Sequence, residues 1–270
     1  MDRFLRIEKL LGHDKASWLQ ARSVTIVGVG AVGGYALEGL ARAGIGRIRL
    51  VDFDVVGISN INRQLHALDS TRGMLKVEAA KKRVLDINPR CEVEALPLFA
   101  NQDTIPEILR PRPDLLIDAI DSLSSKIALL ASAYSQDIPL VSSMGAALRT
   151  DPTKIVVDDL LKTKKCPLAR RLRKKLRQNG VGAGITCVYS TEEIDFDYGE
   201  PEEYAQRGPS PHHQGRPRRL LGSLPTLTGI FGLIVANTAL YTLLAGYEGP
   251  DFGGSLSAHL EPEEIEAGHQ

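Results

Sequence analysis

The period of hydrophobic and polar positions changes repeatedly along the chain, and each change marks an element. Val24 to Val27 is β-branched throughout, which predicts a strand running into a glycine turn at Gly28. From Ala31 the spacing becomes that of an Ala- and Leu-rich helix, closed by Gly44 and Gly46 before a second strand, Arg47 to Val51. A helix is predicted from Lys76 to Asn88, stopped by Pro89, after which Cys91 to Leu98 alternates like a strand. Asp114 to Ile120 reads as a buried strand, Ser124 to Ser135 as an apolar helix, and Ile138 to Ser142 as another strand. Strands alternating with helices imply an α/β fold, a doubly wound, mostly parallel sheet covered on both faces in the Rossmann manner.

Beyond about residue 150 the pattern changes. Lys154 to Val157 predicts a short strand, and Lys162 to Arg177 carries nine basic residues and no acidic one. Wound as a helix from Pro167, this run sets Arg170, Lys174 and Arg177 along one side and Leu168, Leu172 and Leu176 along another. Gly180, Gly182 and Gly184 loosen the chain before a strand at Ile185 to Tyr189. Glu192 to Glu203 is acidic, and Gly208 to Arg219 reads as a long mobile loop. Leu224 to Ala245 has no charge and exceeds the roughly 20 residues that span a bilayer. Its Thr226, Thr228, Asn237, Thr238 and Thr242 fit a buried core or dimer helix better, so membrane contact is not expected. The expected organisation is one domain over 1–250, with a nucleotide-binding half, 1–150, and a basic, loop-rich half for substrate and dimer contacts, 151–250. An acidic tail follows at 251–270.

Composition adds limits. A chain of 270 residues that is 43% hydrophobic can bury a substantial core, which excludes disorder for most of it. The 33 basic and 33 acidic residues balance, so any attraction to a polyanion has to come from the local run at 162–177. Three cysteines, Cys91, Cys166 and Cys187, without CxxC spacing argue against a disulfide framework and against a four-thiolate zinc site. That usage fits a reducing cytoplasm. The opening MDRFLRIEKLLGHDK mixes acids and bases before any apolar run and reads as neither a secretory signal nor a transit peptide.

The candidate chemistry begins at Gly28-Val-Gly30-Ala-Val-Gly33, a GxGxxG turn that follows a strand and opens a helix. Glycines there allow a tight turn and let phosphates approach backbone N–H groups at a helix N-terminus. Asp52 ends the second strand 24 residues after Gly28, where an acid can accept ribose hydroxyls. These features alone leave dinucleotide oxidoreductases and adenylating enzymes equally open. Downstream stand Asp54, Asn60, Asn62, Arg63 and Gln64, and then Lys76. A triphosphate needs such a group: Arg63 for forked contacts to phosphate oxygens, Lys76 as a point charge, Asn60 as a further donor. Asp118 and Asp121 sit at the carboxyl end of a strand, and Asp121, with Asp54, offers oxygen ligands for Mg²⁺.

In this order, GxGxxG, DxD, SNxNRQ, the later Lys and the DxxD strand end resemble the ubiquitin-activating-enzyme superfamily, which includes the sulfur-carrier adenylyltransferases. The resemblance implies activation of a carboxylate as an acyl-adenylate, with ATP and Mg²⁺ as cofactors. It implies that Asp52 binds ribose, that Asn60, Arg63 and Lys76 hold the triphosphate, and that Asp121 holds the metal. The segment Arg3-Phe-Leu-Arg6 is similar to the RxxR by which one subunit reaches its partner's ATP, which implies a homodimer with Arg6 acting in trans. The paired CxxC of the bacterial sulfur-carrier enzymes is missing. Ile58 to Leu68, Lys162 to Arg170, Cys187 to Glu192 and the late Gly222-Ser-Leu-Pro with its Gly-rich helix look instead like the tRNA threonylcarbamoyladenosine dehydratases. This likeness extends over roughly residues 3–246.

It implies ATP-dependent closure of a ring on a modified adenosine next to the tRNA anticodon. The basic run then supplies a phosphate-binding footprint through Lys164, Lys165, Arg170, Arg171, Lys174 and Lys175, which Arg216, Arg218 and Arg219 could extend. Cys187, in the strand-like ITCVYS, reads as packing rather than as an acyl acceptor, and His66, His212 and His213 as structural or solvated. Two alternatives remain at this stage. One is an adenylyltransferase for a ubiquitin-like sulfur carrier, with a cysteine-desulfurase system as partner; the other is a dinucleotide-binding oxidoreductase or sensor.

Overall fold

The computed structural model describes residues 3–194 and 221–249. Strands β1 (Ser23–Val27), β2 (Arg47–Val51), β3 (Glu92–Leu96), β4 (Leu115–Asp118) and β5 (Leu140–Ser143) run parallel. Beyond β5 lie β6 (Ile155–Asp159) and β7 (Thr186–Ser190): β7 is parallel to β5, and β6 closes the edge antiparallel to β7. The order is β3-β2-β1-β4-β5-β7-β6. Direction of growth reverses between β1 and β4, and at such a switch point a crevice opens beyond the carboxyl ends of the strands. The inner strands are buried on both faces and are accordingly almost wholly apolar, as in Leu115 to Ile117 and in Val24 to Val27 with its one buried Thr25.

Helices α1 (Leu5–Leu11) and α2 (His13–Gln20) precede the sheet, and α3 (Ala31–Ala43), α4 (Lys76–Ile87), α5 (Ile105–Ile108), α6 (Leu123–Ser135), α7 (Pro167–Gln178) and α8 (Pro225–Ala245) cover it. One core joins Ile26, Ile48 and Val141 of the strands to Leu37 and Leu40 of α3, Val84 of α4, and Phe231, Val235 and Ala239 of α8. A second joins Leu116 and Cys187 to Leu129 and Leu130 of α6 and Leu172 and Leu176 of α7. Contact between α3 and α8 is close because small residues line it. A β-carbon on Gly39 would sit 2.7 Å from that of Ala236, and one on Gly232 would collide with the Val32 carbonyl. Among the described residues α8 is the one helix long and apolar enough to cross a membrane, and half of that window is buried against the rest of the protein.

Most predicted elements fall where the sequence places them, with shorter ends. β5 begins at Leu140 rather than Ile138, and β6 extends to Asp159 and takes the antiparallel direction. The short N-terminal helices have weak sequence signals: α1 buries no residue and α2 only Ala16 and Leu19. They are held instead by Phe4, which packs on Gly44, by the Trp18 indole donating to the Leu243 carbonyl at 2.9 Å, and by Arg3 bonding the carbonyls at the end of α4. The loop at 208–219 with its His212, His213, Arg216, Arg218 and Arg219, and the tail at 251–270, lie outside the described residues.

Candidate active site

The site is built where β1 runs out. Gly28 has φ 90°, and a β-carbon there would lie 2.7 Å from the Ala119 carbonyl oxygen. A β-carbon on Gly33 would overlap the Gly28 carbonyl itself, so the first turn of α3 closes on the strand only with glycine at both positions. Gly30 caps α3 and no side chain bonds its first amides, which leaves them directed at the crevice. This crevice is a cleft of about 480 Å³, lined by Gly28, Gly30, Asp52, Asn60, Arg63 and Lys76 on one side and by Asp121, Met144 and Arg149 on the other.

Asp52 follows β2, and its two oxygens accept the N–H groups of Val29 and Asp54, each at 3.0 Å. Removal from water pushes its carboxyl up, against the pull of the Lys76 charge. Those bonds fix the carboxylate at the glycine turn and leave further lone pairs able to accept from a ligand. Lys76 opens α4 and is 6% exposed; its ammonium lies 2.8 Å from Asp54 Oδ2 and its backbone N–H donates to the Asp54 carbonyl. Asn60 Oδ1 accepts the Gly57 N–H at 2.9 Å, so its amide nitrogen remains the donor for a ligand. Arg63 braces Nη1 on the Ser59 carbonyl and Asn62 Oδ1, both at 2.8 Å, on the cleft rim.

Asp54 and Asp121, the two expected metal ligands, both line the cleft, and Asp54 also pairs with Lys76 through Oδ2, because the end of β2 and the first turn of α4 bring acid and base together. Asp121 is exposed just past β4 and lines the cleft, and among the described residues no cluster of three metal-ligating side chains forms. One carboxylate is a sufficient protein contribution for Mg²⁺, which is ordinarily completed by phosphate oxygens and water. Asp118 lies deeper and serves the frame. Fully buried, it accepts Lys126 Nζ at 2.5 Å and Ser142 Oγ at 2.7 Å on Oδ2, and the Ile120 N–H at 3.1 Å on Oδ1. Lys126 also donates to the Ser143 carbonyl at 2.9 Å, so one ammonium ties α6 to the ends of β4 and β5.

The other expected residues are not part of the cleft lining. Arg6 is exposed on α1 and does not line the cleft of its own chain. Cys187 is fully buried in β7, where burial raises its thiol pKa; the cysteine at the cleft wall is Cys166. In α7, Leu168, Leu172 and Leu176 are buried while Arg170, Arg171, Lys174 and Lys175 are exposed. Arg173 differs from these, turning back to the Thr163 carbonyl at 2.7 Å. Lys164 and Lys165 line a shallow surface depression with Lys154, and Lys165 pairs with Glu193 at 3.0 Å.

His66 is buried beside Gly34, and burial, followed by the Lys76 charge, pushes its pKa down to about 4. The folded protein therefore binds fewer protons there than the unfolded chain, and stability from this group is full above pH 6.5 and is lost as pH falls toward 4. Thermal denaturation is expected to show Tm falling across that window, with a shallower fall in His66→Gln. An identical profile for the two proteins would contradict this assignment.

Arg149 was not picked out from the sequence. It is 2% exposed, and its one available signal was its place in the loop just after a predicted strand, on the carboxyl side of the sheet.

The ThiF family matches residues 2–263. A tRNA threonylcarbamoyladenosine dehydratase of Bacillus subtilis is 45% identical across 71% of this chain and 76% of its own. The crystal structure of the Escherichia coli tRNA N6-threonylcarbamoyladenosine dehydratase has TM-score 0.78 and 35% identity, covering 90% of this chain and 94% of that one, and that protein is also solved in complex with ATP and with AMP. A molybdopterin-synthase adenylyltransferase of Haemophilus influenzae is 34% identical over 67% of this chain and 71% of its own.

Proposed function

Because the chain belongs to the ThiF family, we propose that its cleft adenylates a carboxylate, and that the carboxylate is the threonyl group of threonylcarbamoyladenosine in tRNA. The enzyme is an ATP-dependent tRNA threonylcarbamoyladenosine dehydratase. A carboxylate oxygen attacks the α-phosphorus of ATP, the bond to the departing pyrophosphate breaks, and an acyl-adenylate forms. A carbamoyl nitrogen of the same substituent then attacks the acyl carbon, AMP leaves with the bonding pair, and the nitrogen loses its proton. ATP thus takes up the oxygen that would otherwise leave as water, and the ring is closed.

The observation that carries this reading is the grouping of Asn60, Arg63 and Lys76 around the glycine turn and Asp52 in one cleft. Amides at the start of α3 and these cations offset the charge that builds up when one anion attacks another. When bound at Asp121, Mg²⁺ would supply a Lewis acid to the phosphate oxygens. Dimerisation, with Arg6 reaching the second cleft, is supported by the resemblance of its segment to a trans-acting RxxR and by the exposure of Arg6 outside its own chain's cleft lining. A cytoplasmic location is supported by three free cysteines and by a tRNA substrate.

Incubation of threonylcarbamoyladenosine-bearing tRNA with the protein and ATP, followed by nucleoside mass spectrometry, is expected to yield a nucleoside lighter by one water, with AMP and pyrophosphate in equal amounts. No change in nucleoside mass, with adenylation of a Gly-Gly-ended carrier protein instead, would replace this reading by the sulfur-carrier one.

The exposed face of α7 supports tRNA binding. Reversing charge at Lys174 and Lys175 to Glu is expected to weaken tRNA affinity about tenfold at moderate salt and to lower the salt slope by about 2, with ATP affinity unchanged. Filter binding across a salt series checks this, and unaltered affinity and slope would assign the helix to solubility alone.

A further inference from the structure

We propose that Arg149 grips the substrate carboxylate that is to be adenylated, an inference that rests on the adenylation reading above. Arg149 is 2% exposed, yet among the described residues its Nε and Nη1 have no hydrogen-bond partner. Both nitrogens are charged donors, and a buried guanidinium left in that state is unfavourable unless something anionic meets it. The side chain lines the cleft, so the missing partner can come from a ligand.

The backbone around Arg149 is built to hold it there. Leu148 adopts φ 62°, a conformation a branched side chain rarely takes, and its N–H donates to the Gly222 carbonyl at 2.9 Å. On the other side, Glu192 accepts the N–H groups of Thr150 and Asp151 at 2.9 and 3.0 Å and the Thr150 hydroxyl at 2.8 Å. Glu192 thus directs its oxygens to the backbone beside Arg149; those N–H groups chiefly, and the Arg149 charge in part, hold its carboxyl below the usual range, but it makes no hydrogen bond to Nε or Nη1. A strained turn clamped from both ends delivers the guanidinium into the cleft.

Position decides which anion it meets. Asp52, Arg63 and Lys76 belong to the β2 side of the glycine turn, whereas Arg149 follows β5. In the order β2-β1-β4-β5 these strands are three spacings apart, roughly 14 Å at about 4.8 Å each. A triphosphate gripped by Arg63 and Lys76 therefore leaves Arg149 toward the β5 side of the cleft, whose lining also includes Met144, Ala146 and Leu168. Those apolar neighbours keep water away and strengthen an ion pair. A planar fork of N–H donors suits a carboxylate, holding one oxygen while the other is turned to the α-phosphorus.

The test uses Arg149→Gln and Arg149→Lys in the full chain, with anticodon stem-loops carrying threonylcarbamoyladenosine or its carboxamide analogue. Wild type is expected to bind the free carboxylate at least tenfold more tightly than the carboxamide. Arg149→Gln is expected to lose that preference, to raise KM for modified tRNA more than tenfold, and to leave affinities for ATP and for unmodified tRNA within twofold. Arg149→Lys is expected to recover part of the preference, and it serves as the folded comparison should the Gln variant fail to express.

If ATP affinity falls while the carboxylate preference persists, Arg149 belongs to the polyphosphate site and the proposal is overturned. A preference unchanged in both variants overturns it as well. Wild-type protein that does not cyclise the tRNA would sink the adenylation reading itself, a result that the nucleoside assay registers before any variant is made.

Discussion

Lys76→Ala is expected to cut turnover by roughly 10²- to 10³-fold, the size of effect seen when one fixed charge facing a transition state is removed. Lys76 is nearly buried and bonded to Asp54 at both side chain and backbone, so its ammonium is held in place before ATP arrives. Removal also strands the Asp54 carboxylate. That side chain is 30% exposed, so water limits the stability cost to about 1–3 kcal/mol. Arg is expected to restore charge without the same fit and to rescue only in part. Calorimetric ATP binding and pyrophosphate release measure the loss, and a normal ATP affinity in Lys76→Ala would remove the residue from the nucleotide site. An internal check exists in His66, whose pKa is held down secondarily by the Lys76 charge and should rise in the variant.

Lys126→Met is expected to lower Tm by roughly 10 °C. Lys126 and Asp118 are both wholly buried, and removing one member of such a pair costs about 3–5 kcal/mol, at about 2–4 °C per kcal/mol in a domain of this size. Adding Asp118→Leu is expected to recover much of the loss, since the isolated charge is then gone, although the Ile120 N–H loses its acceptor. Because Ile120 precedes Asp121, the double variant should fold well and yet bind Mg·ATP more weakly. Calorimetric unfolding of wild type, single and double variants decides the matter; equal Tm in wild type and Lys126→Met would show that the ammonium is not needed for stability.

The nucleotide half was legible because its signals are local. A strand, a glycine turn and a helix lie consecutively in Val24 to Ala43, and only glycine fits at Gly28 and Gly33. The cations after β2 were legible for the same reason, since they follow the motif directly. What could not be read was pairing at a distance. That Asp54 pairs with Lys76 depends on how α4 docks on the end of β2. Asp118 and Asp121 look alike in the sequence, but the first faces α6 and the second the cleft. Arg149 escaped notice because a lone basic residue in a loop has no periodicity, and its burial is set by Leu148, Gly222 and Glu192. The direction of β6 was likewise decided by its hydrogen bonds to β7, which no period-two pattern encodes.

The seating of α8 on α3 has a consequence for biogenesis. The helix that carries the glycine turn has its outer apolar face covered by residues that leave the ribosome some 200 positions later. A nascent chain released before residue 225 lacks that cover and keeps Tyr35, Ala36 and the small-residue groove at Gly39 open to water, a surface suited to chaperones and to self-association. Termination anywhere upstream of α8 is therefore predicted to yield insoluble product rather than a nucleotide-binding fragment, and folding of the ATP cradle waits for α8 to be made.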